Sequence, residues 1–200
     1  MKIRRAMIDI SLNFIKRVLT TQIAARTQAG PEVVLSSLPK DPDDNSKDKI
    51  FITLFNVEQD KTFRNLPVYS VDAGNFNKLN LRNAEISLNL WVLFTAQFGK
   101  DRYESALKFI SLIITIFQGK NVYEDLDFTV AEKNAGLEKL ILELNSPNFD
   151  QSNQIWQTMG SKMVPFVLYK VRLIVILDKE APVIRSTNIV QGIDLTLSNR

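Results

Sequence analysis

The stretch that decides the fold is Ile86–Gly119, ISLNLWVLFTAQFGKDRYESALKFISLIITIFQG, because its hydrophobic period changes once along its length. From Glu85 to Thr95 apolar residues alternate with other residues, and this period of two predicts a β-strand. Farther on, apolar residues recur every three or four positions, which predicts the buried face of a helix that ends near Gly119. That face consists of Tyr103, Leu107, Ile110, Ile114 and Phe117.

Patterns of the same two kinds predict the other elements. Ile8–Ile23 carries a helical apolar stripe, and a short helix containing Ile155 and Trp156 is predicted to end near Gly160. Segments with strand composition complete the prediction: Glu32–Leu35, Ile50–Val57, Leu137–Leu144 and Phe166–Asp178. Polar connections are predicted at Ser36–Lys49 and Glu58–Ala84.

Capping residues predict where two helices begin. Asp101, followed by Glu104 three residues later, is predicted to be the N-cap of the second long helix. Ser146 is predicted to cap the short helix, with Pro147 at its first helical position. Trp91 and Trp156 are predicted to be packing residues.

The order of elements indicates the fold class. Helices and strands are mixed without a regular strand–helix alternation, which favours an α+β fold. We expect a mainly antiparallel or mixed β-sheet flanked by two long helices and one short helix. The predicted organisation is one domain over residues 1–179 and a C-terminal arm over residues 180–200.

Composition limits the possible functions. The 200 residues include no histidine and no cysteine, so disulfides, Cys-ligated metals and thiol nucleophiles are excluded, and no cofactor is predicted. The net charge of +3 arises from 25 basic and 22 acidic residues without a basic stripe, so nucleic-acid binding is not predicted. No apolar run approaches the roughly 20 residues of a membrane span, and no export signal is predicted.

Acidic residues are the remaining candidates for chemistry. Glu124, Asp125 and Asp127 are predicted to form a solvated loop rather than a catalytic pair. A small hydrolase or carbohydrate-active enzyme that uses only acidic residues therefore stays as the alternative function.

One acidic loop resembles part of a calcium site. Asp41, Asp43 and Asn45 have the spacing of the first ligands of a calcium loop. Ser46 replaces the glycine of the sharp turn and Ile52 replaces the closing glutamate, so no metal is predicted.

Two segments are candidate interaction sites. Arg64, Asn65 and Pro67 form either a turn inside the fold or part of a subunit or tube interface. In the arm, apolar residues at alternate positions predict either a locally docked terminus or a strand added to a neighbouring subunit's sheet. The apolar arm residues are Ile193, Leu195 and Leu197.

Four ordered stretches resemble a known family. They are the opening helix from Ile8, IFITLFNVEQDKTFRNLP at Ile50–Pro67, the stretch Ile86–Gly119, and IWQTMGSKMVPFVLYKVRLIVI at Ile155–Ile176. The set resembles the N-terminal domain of cap, or tail-terminator, proteins of extracellular contractile injection systems of the antifeeding-prophage and virulence-cassette type. Within it, Arg64-Asn65-x-Pro67, Leu93-Phe94-Thr95-Ala96 and Tyr103 carry the most specific part of the resemblance.

This resemblance implies a non-enzymatic structural protein. Such a cap forms a hexameric ring on the distal end of the inner tube and sheath of a phage-tail-like particle and stops their polymerisation. The implied partners are further copies of the chain, the tube and sheath proteins and a second cap paralogue, with assembly in the bacterial cytoplasm. A sheath or baseplate adaptor is the alternative within the same kind of particle.

Overall fold

The computed structural model describes residues 7–28, 30–38, 48–60, 68–72, 75–82, 86–175 and 186–188. Within these ranges the helices are α1 Met7–Arg26, α2 Tyr103–Gly119, α3 Val130–Asn134 and α4 Phe149–Met159. The strands are β1 Glu32–Leu35, β2 Lys49–Gln59, β3 Val68–Asp72, β4 Asn75–Arg82, β5 Ile86–Gln97, β6 Val122–Tyr123, β7 Leu137–Asn145, β8 Phe166–Val175 and β9 Ser186–Asn188.

Six strands form the main sheet, in the order β1-β2-β5-β8-β7-β6. Only the pair β1–β2 is parallel, and every other pair in this sheet is antiparallel. Strand β5 lies inside the sheet, with Leu90 opposite Val57 of β2 on one side and opposite Val171 of β8 on the other. The predicted mixed, mainly antiparallel sheet with helices is therefore confirmed.

The main core lies between one face of this sheet and helices α1 and α2. Strand β5 supplies Leu90, Val92 and Phe94 to it. The predicted stripe of α1 is confirmed, since its central residues are buried against the same core. The buried apolar residues of α1 are Leu12, Phe14, Ile15, Leu19 and Ile23.

A second, smaller core lies on the opposite face, under α4. There Ile155 and Trp156 of α4 pack with Phe51, Leu93 and Leu168 from three adjacent strands. The ring of Trp156 meets Phe166 edge-on with centroids 5.4 Å apart. Trp91 also packs against this cluster, so both tryptophans contribute to packing as predicted.

The predicted buried face of α2 is wrong in part. Tyr103 is 61% exposed and Leu107 is 43% exposed, whereas Ile110 and Phe117 are buried. The observed buried face comprises Ala106, Ile110, Ile113, Ile116 and Phe117. Because apolar residues cover more than half of this helix surface, periodicity alone does not determine which part of the arc meets the sheet.

Both predicted N-caps are also wrong. Asp101 lies inside a 3-10 turn, and Arg102 occupies the N-cap position of α2 without a side-chain cap bond. At α4 the cap is Asn148, whose Oδ1 accepts the Gln151 N–H at 2.8 Å while Gln151 Oε1 accepts the Asn148 N–H at 3.0 Å. This reciprocal pair satisfies two backbone donors, which a cap at Ser146 would leave to water.

The second sheet was not predicted. Strands β3, β4 and β9 form it, and two of them lie in Glu58–Ala84, the segment predicted to be a polar connection. Asparagine and lysine interrupt the apolar alternation of β4, which weakens the sequence signal for a strand. Strand β9 lies within residues 180–200 and pairs with β4 at Asn188 opposite Lys78.

Leu90→Ala is expected to lower the free energy of unfolding by about 3 kcal/mol, because it leaves a cavity at a side chain with 0% exposure. Leu126→Ala is the matched control, since Leu126 is 99% exposed, and it is expected to stay within about 0.5 kcal/mol of the parent chain. Urea unfolding followed by circular dichroism measures both values. Equal losses in the two variants would contradict this assignment of the core.

Candidate assembly surfaces

The acidic turn at Glu124–Asp127 is held by lysines. Glu124 pairs with Lys139 at 2.6 Å, and Asp125 pairs with Lys133 at 2.8 Å. Asp127 pairs with Lys120. These contacts join the 3-10 turn Asp125–Asp127 to the end of α2, to α3 and to β7. The carboxylates therefore stabilise the local structure of this turn.

The electrostatics of Asp127 do not match those of a catalytic acid. Partial burial raises the pKa of its carboxyl, but hydrogen bonds from Lys120 and the Glu124 backbone, with the charges of Lys120 and Arg17, hold the net pKa below its usual value. A general acid requires a raised pKa so that it holds a proton near neutral pH. Asp127 is ionised there and acts as an acceptor.

Exposed apolar residues form a stripe along α2. Tyr103, Leu107 and Ile114 lie within one narrow arc of the helix, because positions four and eleven residues apart return to nearly the same direction. Tyr103 and Leu107 are exposed, and Ile114 packs at the margin of the main core. We call these three residues the α2 stripe. An exposed apolar stripe of this kind marks a surface suited to a protein contact.

The pairing of β7 with β6 ends before Leu144. Strand β6 pairs only with Leu140 and Ile141, and the Leu142 N–H then donates to the Asn121 carbonyl at 2.8 Å. Successive residues of a strand point their backbone N–H and carbonyl groups toward its two edges alternately. The N–H and carbonyl of Leu144 therefore point to the same outer edge as those of Leu142. Within the described ranges no strand lies opposite Leu144 on this side.

A groove lies beside this end of β7. It has a volume of about 380 Å³ and separates the second half of α2 from β7 and β8. We call it the β7 groove; its walls are Ile114, Phe117 and Gln118 of α2, Leu142, Glu143 and Leu144 of β7, Asn121 and Tyr169. Leu144 is 51% exposed, although Leu140 and Leu142 on the same face of the strand are buried. Ile114 belongs to both the groove and the α2 stripe, so the two apolar surfaces are continuous.

Several of the residues that the sequence singled out lie outside the described part of the chain. Arg64, Asn65 and Pro67 lie outside the described residues, as do Ile193, Leu195 and Leu197 of the arm and the residues of the calcium-like loop. Their assignments remain predictions. Sequence analysis missed the exposure of Leu144, because the strand that leaves it uncovered, β6, has only two residues.

Two further properties concern the described ranges only. Their His, Cys, Asp and Glu side chains include no group of three or more that is arranged to hold a metal ion. Their helices include none with the length and hydropathy needed to cross a membrane.

Residues 12–186 match the model of a protein family described as the Pvc16 N-terminal domain. Two solved structures are also similar. One is the sheath/tube terminator of an extracellular contractile injection system, PVC, in the extended state, with a TM-score of 0.62 and 14% identity over 94% of this chain and 63% of that chain. The other is the anti-feeding prophage cap, a tube-terminating cap, with a TM-score of 0.61 and 14% identity over 92% of this chain and 60% of that chain.

Comparison with curated proteins finds no match. At 14% identity the structural likeness shows the fold, and this chain spans about three fifths of the length of the two matched structures. Together with the family match, it confirms the resemblance to caps of contractile injection systems that the four sequence stretches indicate.

Raising the pH above 10 is expected to destabilise the fold through Tyr169 at the base of the β7 groove. Burial raises the pKa of Tyr169 to about 12, above the value of about 10 expected in the unfolded chain. The unfolded chain therefore loses the proton first, so this contribution to stability is complete below pH 10 and falls as the pH approaches 12. Urea unfolding at pH 9 and at pH 11.5 measures the fall.

Tyr169→Phe is the control, because it keeps the ring contacts with Phe94 and Phe117 and removes the titrating hydroxyl. The variant is expected to lose less stability than the parent chain over this pH interval. Identical losses in the two proteins would contradict a raised pKa at Tyr169.

Proposed function

Because this chain belongs to the Pvc16 N-terminal domain family, we propose that it is a structural cap of a phage-tail-like contractile injection system. In this role it forms a hexameric ring on the distal end of the inner tube and sheath and stops their polymerisation. The observation that supports the proposal most directly is the likeness in fold to a sheath/tube terminator and to a tube-terminating cap over more than nine tenths of the chain.

The described surface suits assembly better than catalysis. The acidic turn is neutralised by three lysines, and composition provides no histidine or cysteine for proton transfer or covalent chemistry. The exposed features are instead apolar, namely the α2 stripe and the β7 groove. We therefore favour a non-enzymatic role.

Termination follows from asymmetry between the two sides of a ring. Each subunit added to a growing polymer exposes the same contact surface that the previous subunit offered to it. A cap binds that contact and presents no equivalent on its outer side, so addition stops. Contacts between unlike surfaces of adjacent copies close into a ring when the rotation between copies completes a circle. Six copies are proposed here.

The residues that make these contacts are proposed from two sources. Tyr103 and Leu107 of the α2 stripe are exposed and apolar in the described structure, which suits contact with a neighbouring copy or with the tube. Arg64, Asn65 and Pro67 are proposed to contribute to the same kind of interface. A second cap paralogue is proposed as a further partner. The particle is proposed to assemble in the bacterial cytoplasm.

The cap role is tested with purified protein and with particles. Mass photometry is expected to show a species of six times 22.8 kDa that grows with protein concentration. Labelled protein is expected at the distal end of intact particles, and particles lacking it are expected to have tubes of variable, greater length. A monomer that binds no particle would contradict the proposal, and label at the baseplate end would favour the adaptor alternative.

Leu107→Ser is expected to weaken ring formation and leave the fold intact, because Leu107 is exposed within the α2 stripe. Losing one interfacial leucine contact raises the concentration of half-assembly by roughly tenfold. Leu126→Ser is the matched control, since it removes an exposed leucine outside the stripe. Equal assembly of the two variants would show that the α2 stripe makes no contact in the ring.

A further inference from the structure

We propose that Phe149 and Asp150 of one copy of this chain dock into a cleft between α1 and the end of α2 on a second copy. The proposal rests on the proposed ring, because it supplies a contact between adjacent copies. It names both sides of that contact, which neither the family match nor the structural likeness identifies.

The acceptor, which we call the α1–α2 cleft, has apolar inner walls. Its volume is about 410 Å³, which is large enough to enclose an aromatic side chain. Among the residues that line it, Phe14, Ile116 and Tyr123 are buried. The rings of Phe14 and Tyr123 meet edge-on with centroids 5.2 Å apart. A further aromatic ring placed in the cleft would therefore extend an existing aromatic cluster.

The lining of the cleft carries a net positive charge. Arg17, Arg26 and Lys120 contribute to it, and Asp127 is the acidic residue among the described lining residues. Lys120 pairs with Asp127, and Arg17 pairs with Glu132 at 2.9 Å. Arg26 is exposed and forms no ion pair with the described residues. A carboxylate brought to this cleft therefore meets an arginine whose charge is not neutralised.

Tyr123 adds a hydrogen-bond donor to these walls. The residue is 4% exposed, and its hydroxyl forms no hydrogen bond with the part of the chain that the structure describes. Burial, with the charge of Asp127, raises the pKa of Tyr123 to about 12. The hydroxyl therefore keeps its proton at neutral pH and can donate to a carbonyl or carboxylate of an incoming segment.

The other side of the contact is the start of α4. Phe149 is the first residue of this helix and is 79% exposed, an unusual exposure for a phenylalanine. Asp150 is exposed and forms no ion pair with the described residues. The two residues present an aromatic ring beside a carboxylate that is not neutralised. They therefore complement the aromatic walls and the unpaired Arg26 of the α1–α2 cleft.

Other exposed apolar residues complement the cleft less well. Tyr103 is followed by Glu104, but that carboxylate is bound to Lys108 at 2.7 Å. Leu126 lies in the acidic turn, where lysines bind each of the three carboxylates. Within the described ranges, Phe149 is the exposed aromatic residue that has an unpaired carboxylate next to it.

The positions of the two surfaces make a second copy the occupant. The α1–α2 cleft belongs to the helices that cover one face of the main sheet, whereas α4 covers part of the opposite face. The sheet thus lies between the cleft and the helix that carries Phe149 of the same chain. Unlike surfaces on opposite faces join adjacent copies head to tail, and such contacts close into a ring by rotation.

Cysteine cross-linking in mixtures tests the contact, since the chain contains no native cysteine. One variant carries Gln22→Cys, which lies in the cleft one turn before Arg26, and the other carries Asp150→Cys. A bismaleimide reagent is expected to link the two variants when they are mixed under assembling conditions. Either variant alone is expected to stay unlinked, because a head-to-tail contact does not bring identical positions together.

The control separates this contact from random linkage. Met163→Cys replaces Asp150→Cys in the mixture and is expected to give no linked dimer, because Met163 is exposed on the segment between α4 and β8. Equal linkage with Met163→Cys would overturn the proposal. Linkage of Gln22→Cys to itself would show a symmetric contact and would also overturn it.

Substitution of the aromatic anchor tests its share of the contact. Phe149→Ser is expected to raise the concentration of half-assembly at least about tenfold, because aromatic anchors supply much of the binding energy of an interface. Met163→Ser is the matched control, since it also removes an exposed apolar side chain, and it is expected to assemble like the parent chain. Thermal unfolding of the isolated chains checks that both variants are folded.

A charge exchange tests the proposed pair of Asp150 with Arg26. Arg26→Glu alone and Asp150→Arg alone each place like charges together and are expected to raise the concentration of half-assembly about fivefold. The chain with both substitutions restores opposite charges and is expected to assemble nearly like the parent chain. A double variant that assembles no better than the single variants would contradict the pairing.

The outcomes distinguish this inference from the proposed function. Rings that form normally with Phe149→Ser, together with no linked dimer in the mixture, overturn the contact and leave the cap role standing. Arg26→Glu rings that form normally but no longer bind the tube end would show that the cleft takes the tube protein, and they also overturn the contact. A parent chain that forms no ring and binds no particle overturns the cap role.

Discussion

The structure depends on the need to cover both faces of strand β5. Leu90, Val92 and Phe94 point to one face and Leu93 points to the other, and all four are buried. A strand with two apolar faces is stable only between two covering layers, since each exposed face would return apolar surface to water. Helices α1 and α2 cover one face and α4 covers part of the other. Pairing with β2 and β8 satisfies the backbone on both sides.

Strand pairing is less complete at the margins of the sheet than at its centre. Strand β6 has two residues and β1 has four, whereas β5 has twelve, so the pairing shortens toward both ends of the sheet. Soluble monomers protect such edges with charges, bulges or short strands. Here the pairing of β7 with β6 ends before Leu144, whose apolar side chain is 51% exposed. An exposed apolar side chain at the margin of a sheet suits contact with another protein.

Sequence patterns predicted the elements whose periodicity coincides with burial. Strands β5 and β8 and helix α1 each place one regularly spaced apolar face in the main core, so the period identified both the type of element and the residues that share this face. The end of α4 was predicted from the glycine at position 160. Gly160 adopts a positive φ of 62°, a conformation that glycine favours and that commonly ends a helix. The α2 face was wrong, since Tyr103 and Leu107 extend the apolar arc beyond the part that the sheet covers. The hairpin of β3 and β4 was missed because asparagine and lysine interrupt the apolar alternation of β4.

The wide apolar arc of α2 connects fold and assembly. A helix that only had to cover the sheet would need apolar residues on its buried face, which includes Ala106 and Phe117. Polar residues would suffice on the rest of its surface, which faces solvent. Tyr103 and Leu107 instead keep apolar surface in water. Polar side chains at these positions would make a monomer more soluble. Contact with another protein removes this disadvantage. The same residues that misled the prediction of the buried face are therefore those that the proposed ring or tube contact would bury.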